Sequence, residues 1–511
     1  MTYEHQNKKV SGSGTTWPLF SIRLYVLLTA AVCFELLAFP ALANGPSLWE
    51  RSIVTVEVAR KQYDYTQPWS RRTRRIQKSG TVIAERQILT TADDLFDRTL
   101  VRLQKYGRGR WYAGEVQWID YHANLALLTV PEAGFWRDLT PATLGSGVPQ
   151  DGNLQILRWR EGNLESRRAE FTRVTVREGQ LSQINLVAME ATSEVSSAGQ
   201  GEPVIAGNKL TAIVAAQENR TCVMTPITFI RSIMEAREKG QYHGLGFFHF
   251  YWQPAANPTS LAYLKQTGDA RGVIVVSVPP RPDGGEQVLK PQDIILTIDG
   301  FGIGIQGDYT DPEYGYLILE ALATRGKWAG DEVKMQVLRE GKSTEVRYRL
   351  PKYEYENSLV PWATLDKEPE YLMVGGLVFQ PLTDSFLQSW GQDWKRRAPF
   401  RLYYYNEENR TQERKALVLL SEILPDPYNI GYQQTRYLVL DKVNGRSISY
   451  LADLRDALEH PVDGFHILDF VQSDSLKRVV LEAGDTEKEA TGRVLKRYGM
   501  PEQLHLEEKK S

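Results

Sequence analysis

Residues 196–216 read SSAGQGEPVIAGNKLTAIVAA. Glycines at 199, 201 and 207 and the proline at 203 punctuate this run into turn, strand, turn, strand. Short alternating or apolar runs extend the pattern outward over residues 50–225, among them SIVTVEVA (52–59), SGTVIAERQILTTA (79–92), WYAGEVQWID (111–120), LALLTV (125–130) and INLVAME (184–190). So many strands at regular spacing predict an all-β barrel or sandwich. A helix closes the region: Thr225 as cap, Pro226 in the first turn, Ile227, Ile230, Ile233 and Met234 on one face, and Gly240 as stop.

The later half repeats a different order. GLGFFHF (244–250), GVIVVSV (272–278), VLKPQDIILTIDGFGI (288–303), a predicted helix YGYLILEALAT (314–324) and EVKMQVLREGKSTEVRYRL (332–350) form one unit. MVGGLVFQPLT (373–383), YLVLDKVNGRSI (437–448), the amphipathic YLADLRDALEH (450–460) and HILDFV (466–471) repeat it, around a charged insertion at 391–415.

At 511 residues the chain suffices for two to four domains. Hydrophobic content of 42% against 24% charged is that of a globular protein, and a net charge of -2 argues against a nucleic-acid partner. Arg71, Arg72, Arg74, Arg75 and Lys78 form a basic cluster that reads as a solvated strand edge. Lys8, Lys9 and Arg23 precede an apolar run, Leu24 to Pro40, and Ala41-Leu42-Ala43 has the small-x-small form of a cleavage site. Residues 1–43 are therefore expected to be a signal peptide, with an N-terminal membrane anchor as the rival. Once they are removed, Cys222 is the sole cysteine, which excludes an internal disulfide. Export without disulfides fits a periplasm. Metal-ligand spacings are absent, and the expectation is no metal and no cofactor.

Three stretches together carry a resemblance. SGTVIAERQILTTADDL (79–95), NLALLTV (124–130) and GQGEPVIAGNKLTAIVAA (199–216), in that order, resemble the chymotrypsin-like domain of the HtrA/Deg (protease Do-like) serine proteases. LKPQDIILTIDG (289–300) is similar to the central signature of the PDZ domains that follow it in that family, and the third unit resembles the two-PDZ plant-type branch. The resemblance implies a mainly β chain: a chymotrypsin-like double β-barrel followed by two PDZ-like α+β domains. The corresponding boundaries are 44–240, 241–355 and 356–500, with 501–511 a charged tail.

Such a site needs a hydroxyl nucleophile, an imidazole base and a carboxylate that orients the base, with backbone N–H groups for the oxyanion. Aligned on the family pattern, Asp93 stands at the histidine, Asn124 at the aspartate and Gln200 at the serine. The oxyanion turn is Gly199, Gly201 and Glu202, the last replacing a glycine. His122, two residues from Asn124, is the barrel region's only histidine, and strand alternation would turn it toward the same face. It has no serine to activate. Asp93 and Asp94 read as strand neighbours on opposite faces, with surface charge as their plain role.

Peptide recognition needs no triad. Gly244-Leu245-Gly246-Phe247 has the form of a carboxylate-binding loop, with Leu317 and Glu320 on the helix expected to face it. Gly375-Gly376-Leu377-Val378-Phe379 is a reduced version, opposite Leu451, Leu454, Arg455 and Leu458. The reading is an exported pseudoprotease scaffold for peptides, unfolded clients or an active Deg homologue, in quality control or regulation. The alternative is an active ATP-independent serine-type endopeptidase with a non-standard site, and an adaptor role is a third option. The family also trimerises through aromatic N-terminal segments, for which YDYTQPW (63–69) supplies aromatics as a homo-oligomer contact.

Overall fold

In the computed structural model, residues 48–149, 152–391, 393–471 and 478–506 are described. The expected leader, residues 1–43, lies outside them. Among the described residues no helix is long and apolar enough to cross a membrane.

The first seven strands are β1 (Ile53–Tyr63), β2 (Arg71–Ala84), β3 (Gln87–Thr90), β4 (Arg98–Lys105), β5 (Trp111–Ala113), β6 (Glu115–Asp120) and β7 (Leu125–Thr129). They form one antiparallel sheet in the order β5-β4-β1-β2-β3-β7-β6. Strand alternation places Val54, Val56 and Val58 in its core with Val82, Ile88, Leu103 and Leu128. The next six, β8 (Asn153–Arg160), β9 (Asn163–Glu178), β10 (Asn185–Ser193), β11 (Pro203–Ala206), β12 (Lys209–Glu218) and β13 (Thr221–Pro226), close into a barrel. Between the two lies a second apolar layer. Leu125 and Leu127 of β7 face it while Ala126 and Leu128 face the first core, so β7 is apolar on both faces. Ile205, Leu210 and Ile213 join that layer from the closed barrel. So do Ile227, Ile230 and Ile233, from the helix Ile227–Glu238. That helix is entered through Pro226 without a side-chain cap, because Thr225 is still part of β13.

The second unit contains β14 (Tyr251–Pro254), β15 (Val273–Ser277), β16 (Ile294–Ile298), β17 (Phe301–Gly302), β18 (Asp308–Asp311), β19 (Gly315–Ile318), β20 (Glu332–Arg339) and β21 (Lys342–Arg349). Its sheet runs β14-β15-β16-β20-β21, with β17 on β16 and β18-β19 as a separate hairpin. This corrects the helix expected at 314–324. Tyr316 and Ile318 are exposed while Leu317 and Leu319 are buried, a period of two, and only Leu319–Ala323 coils, as a 3-10 turn. Gly315, with φ +80, closes the hairpin where an L side chain would be strained. Leu317 and Leu319 pack in one cluster with Val187, and Val174 and Val176 lie against it, so the hairpin is held on the closed barrel.

The third unit holds β22 (Tyr371–Val374), β23 (Leu377–Pro381), β24 (Val418–Ile423), β25 (Leu438–Val443), β26 (Arg446–Ser447), β27 (Phe465–Phe470), β28 (Arg478–Glu482) and β29 (Leu504–His505). Their order is β28-β27-β25-β24-β23-β22-β29, with β26 on β25. Read from β23, this is the strand order of the second unit with two strands added at the edge. Here the expected helix does form, as Leu451–Leu458 with Leu451, Leu454 and Ala457 buried.

Residues 501–506 are not a free tail, since β29 pairs with β22. The loop carrying YDYTQPW is also engaged within the chain. Tyr65 packs in the insertion's core and its hydroxyl meets Thr364 at 3.0 Å, while the Trp69 ring lies 5.8 Å from that of Tyr371.

Candidate active site between the first sheet and the closed barrel

Three turns meet where β3, β7 and β11 approach one another: 91–94, 121–124 and 198–202. Asn124, in the left-handed region at φ +51, directs its amide oxygen to the Asp93 N–H at 2.8 Å. The Asp93 carboxylate accepts from the Asp94 N–H at 2.9 Å and from the Gln200 side-chain amide. Asp93, Asn124 and Gln200 are thus brought together, with Asn124 bonded to the N–H of Asp93 and Gln200 to its carboxylate. Asp93 is buried in a turn, not exposed on a strand, and Asp94, at φ +62, turns away to Arg60 at 3.3 Å. Burial pushes the Asp93 carboxyl above its ordinary range, Asp94 adds to that, and Lys78 and the Gln200 bond oppose it.

Lys78 does not belong to the solvated basic cluster. Arg71, Arg72, Arg74 and Arg75 are exposed, but Lys78 is buried beneath the Asp93 turn. Its Nζ donates to the Thr91 carbonyl at 2.8 Å, the Thr91 hydroxyl at 2.6 Å and the Asp93 carbonyl at 2.5 Å. Burial pulls its pKa down to about 8 against the attraction of Asp93 and Asp94. A hydroxyl beside a lysine of lowered pKa has the form of a Ser/Thr–Lys pair. Thr91, however, is fully buried, and the ammonium's three bonds are all spent on holding the turn.

The 198–202 turn is closed by its own chain. A Cβ on Gly201 (φ +71) would lie 2.4 Å from the Ser79 carbonyl oxygen, so only glycine fits there. The Gln200 carbonyl accepts from the Ser79 N–H at 3.2 Å. The Ala198 N–H donates to the Gln217 side-chain oxygen, and Gln217 Nε2 donates to the carbonyls of Val195 (2.6 Å) and Asn219 (2.7 Å). Glu202 points inward from the turn: its buried carboxylate is paired with Arg167 and lies 3.7 Å from Arg158. Both arginines also donate to the Ser197 carbonyl at 3.0 Å. The Glu202 side chain of the Gly199, Gly201 and Glu202 turn therefore serves as an anchor for two arginines.

His122 sits in the turn 121–124, where strand alternation does not apply. Its ring lies 4.5 Å from that of Tyr355 and 5.3 Å from that of Tyr353, and Nδ1 is 3.0 Å from the Ser182 hydroxyl. Burial pulls its pKa down. Ser182 is 1% exposed and its oxygen already accepts the Ile184 N–H, so this Ser–His pair cannot meet a substrate. Cys222 is fully buried in the closed barrel and burial raises its thiol, leaving an inert core residue.

The loop Gly244-Leu245-Gly246-Phe247 is partly spent as well. Gly246 bridges Lys352, the Gly244 carbonyl accepts from the Ala329 N–H at 2.9 Å, Leu245 is buried, and Phe247 packs edge-on against Tyr353. The helix expected to face this loop is the hairpin described above; Leu317 is core, and Glu320 accepts from the Trp252 indole at 2.9 Å. The outer edge of β14 ends its sheet. In the third unit the Gly375 N–H is taken by the Thr491 hydroxyl at 2.9 Å and the Gly376 N–H by the Met373 sulfur at 3.4 Å. The edge of β23 that corresponds to the outer edge of β14 is filled by β22.

The side chains of Asp93, Asn124 and Gln200 have acid and amide chemistry, without a nucleophilic hydroxyl or thiol. Positions 93, 124 and 200 were legible in the sequence. Lys78 was legible as a residue but not as a buried one, and nothing in the sequence pointed to Gln217. The raised Asp93 carboxyl gives a first test. A carboxyl raised on folding contributes stability at acid pH, and that contribution is lost as pH rises through its folded value. Asp93→Asn is expected to unfold at a higher temperature than the parent at about pH 8, with the gap closing toward about pH 4. A thermal melt series over that range checks this.

Residues 360–505 match the PDZ domain family. The chain is 27% identical over 430 residues to "Protease Do-like 4, mitochondrial" of Arabidopsis thaliana, covering 83% of this chain and 78% of that protein. It is 24% identical over 464 residues to "Protease Do-like 2, chloroplastic" of the same plant, covering 88% and 74%. Among solved structures it is similar to an HtrA-type protease AlgW with decapeptide, at 15% identity and a TM-score of 0.44, covering 61% of this chain and 98% of that one. The chain is a homologue of the Do-like/HtrA proteases, mainly β, with a PDZ domain in its C-terminal part.

Proposed function

We propose that this chain is a pseudoprotease: a Do-like scaffold that binds peptides or unfolded clients without cleaving them. The observation that carries it is the convergence of Asp93, Asn124 and Gln200 on the stations of base, orienter and nucleophile: Asn124 and Gln200 each bond Asp93, while the buried Asn124 Nδ2 and Gln200 Oε1 make no hydrogen bond. A base must offer a proton acceptor to a hydroxyl, and none of these three side chains supplies the hydroxyl. The Ala198 N–H, whose place in the turn suits an oxyanion donor, is spent on Gln217.

Client recognition falls to the sheet edges. The PDZ match supports peptide binding, and residues 241–355, with the same strand order, act as a second module of that kind through the outer edge of β14. An active homologue and further copies of this chain are additional partners in this reading. The leader in residues 1–43 delivers the protein across a membrane, to a periplasm on the cysteine argument; the relative named mitochondrial supports an organelle as the other destination.

The test is incubation of the leaderless protein with casein and a fluorophosphonate probe. The expected result is no turnover and no labelling, with casein nonetheless retained on the immobilised protein. Reproducible cleavage abolished by Gln200→Ala would establish the alternative, an endopeptidase with a non-standard site.

A further inference from the structure

The last described strand occupies a sheet edge that has the properties of a binding site. β29 pairs antiparallel with β22, Leu504 opposite Leu372 and His505 opposite Tyr371. The ladder is extended by the Met373 N–H to the Gln503 carbonyl at 2.9 Å, and the Tyr371 hydroxyl donates to the Glu502 carbonyl at 3.1 Å. Beside it runs a cavity of about 240 Å³ between the strands and the helix Leu451–Leu458, lined by Leu372, Val374, Leu458, Arg455 and Leu504. A strand edge with a helix across a groove is the geometry that receives an extended peptide: main-chain bonds hold it and alternate side chains fill the groove.

We propose that the outer edge of β22 is a peptide-binding site, held in cis by residues 503–506. Its ligand class is an extended segment that runs antiparallel to β22 and carries a large apolar residue at the register of Leu504. Three observations carry this. The pairing of β22 with β29 spans two residues, so the strand is held by few main-chain bonds, and Leu504 and Leu506 are only half-buried where they pack against the core. Leu504 leaves unfilled volume beside it, enough for a larger side chain. The seat is also tied to the first sheet: Glu368, next to β22, is bonded by Lys61 and by Arg71 at 2.8 Å, lies 4.0 Å from His505, and Trp69 packs on Tyr371. A ligand on this edge therefore touches the elements that join the third unit to that sheet. While attached, the segment competes at a high local concentration, which keeps the site closed in the resting chain.

The inference rests on the peptide-scaffold reading, and the experiment separates the two. A fluorescein-labelled peptide of residues 500–511 is titrated by anisotropy against the leaderless chain, against the same chain ending at Glu502, and against full-length Leu504→Asp, which ejects the segment without shortening the chain. The expected result is binding at least about tenfold tighter to both altered chains than to the intact one. A peptide with Leu504→Phe should bind tighter still, and one with Leu504→Asp should not bind. Folded truncated and Leu504→Asp chains that bind no better than the intact chain overturn the inference. If casein is still retained in that case, the scaffold reading survives; if casein is also lost from every form, the scaffold reading itself fails.

Discussion

Glu202→Ala is expected to lower the stability of the closed barrel by about 3–5 kcal/mol, the typical cost of removing one member of a buried ion pair. Glu202 is 2% exposed and its carboxylate faces Arg167, itself 8% exposed, with Arg158 at 3.7 Å. Removing it leaves the buried Arg167 guanidinium without its carboxylate, while Arg158, which is partly exposed, keeps Glu165 at 2.8 Å. The same groups hold the Ser197 carbonyl, so the 197–202 turn should loosen along with the barrel. Denaturant unfolding of Glu202→Ala beside the parent measures the first effect, and proteolytic nicking between 195 and 203 measures the second. Replacing the whole cluster by apolar residues of similar volume is expected to cost much less, because no charge is then left unpaired. A Glu202→Ala protein as stable as its parent would show that the pair is not buried in solution.

The second large effect concerns latent chemistry. With Asp93→His, Asn124→Asp and Gln200→Ser combined, the three side chains are placed on positions that already converge. Reactivity toward a fluorophosphonate should then rise above the parent's background. It should remain low while the Ala198 N–H is held by Gln217, since the oxyanion donor is occupied. Adding Gln217→Ala is expected to raise the labelling rate by about 10²–10³-fold, the contribution of one oxyanion donor. Equal rates with and without the Gln217 change would show that the Ala198–Gln217 bond does not limit reactivity at these positions.

The chain's linear pattern carried a great deal. Glycine spacing in 196–207 and the alternation of apolar residues foretold a β-rich first half, because a strand's faces are written as a period of two. The stretch 314–324 misled, since Leu317, Leu319, Leu322 and Ala323 fit a helical stripe nearly as well as an alternating one. The packing of Leu317 and Leu319 with Val187 settled the matter in favour of a hairpin, a partner about 130 residues away that local propensity cannot see.

The identities at 93, 124 and 200 were plain from order and spacing. The bonding of Asn124 and Gln200 to Asp93, the burial of Lys78, the capture of the Ala198 N–H by Gln217 and the filling of the β23 edge by β22 were not, because each depends on contacts that local residue pattern does not encode. Residue types say which chemistry a chain can hold. Which of its donors are free to act depends on what folding brings against them, and a hydrogen-bond donor can be spent by any segment that reaches it.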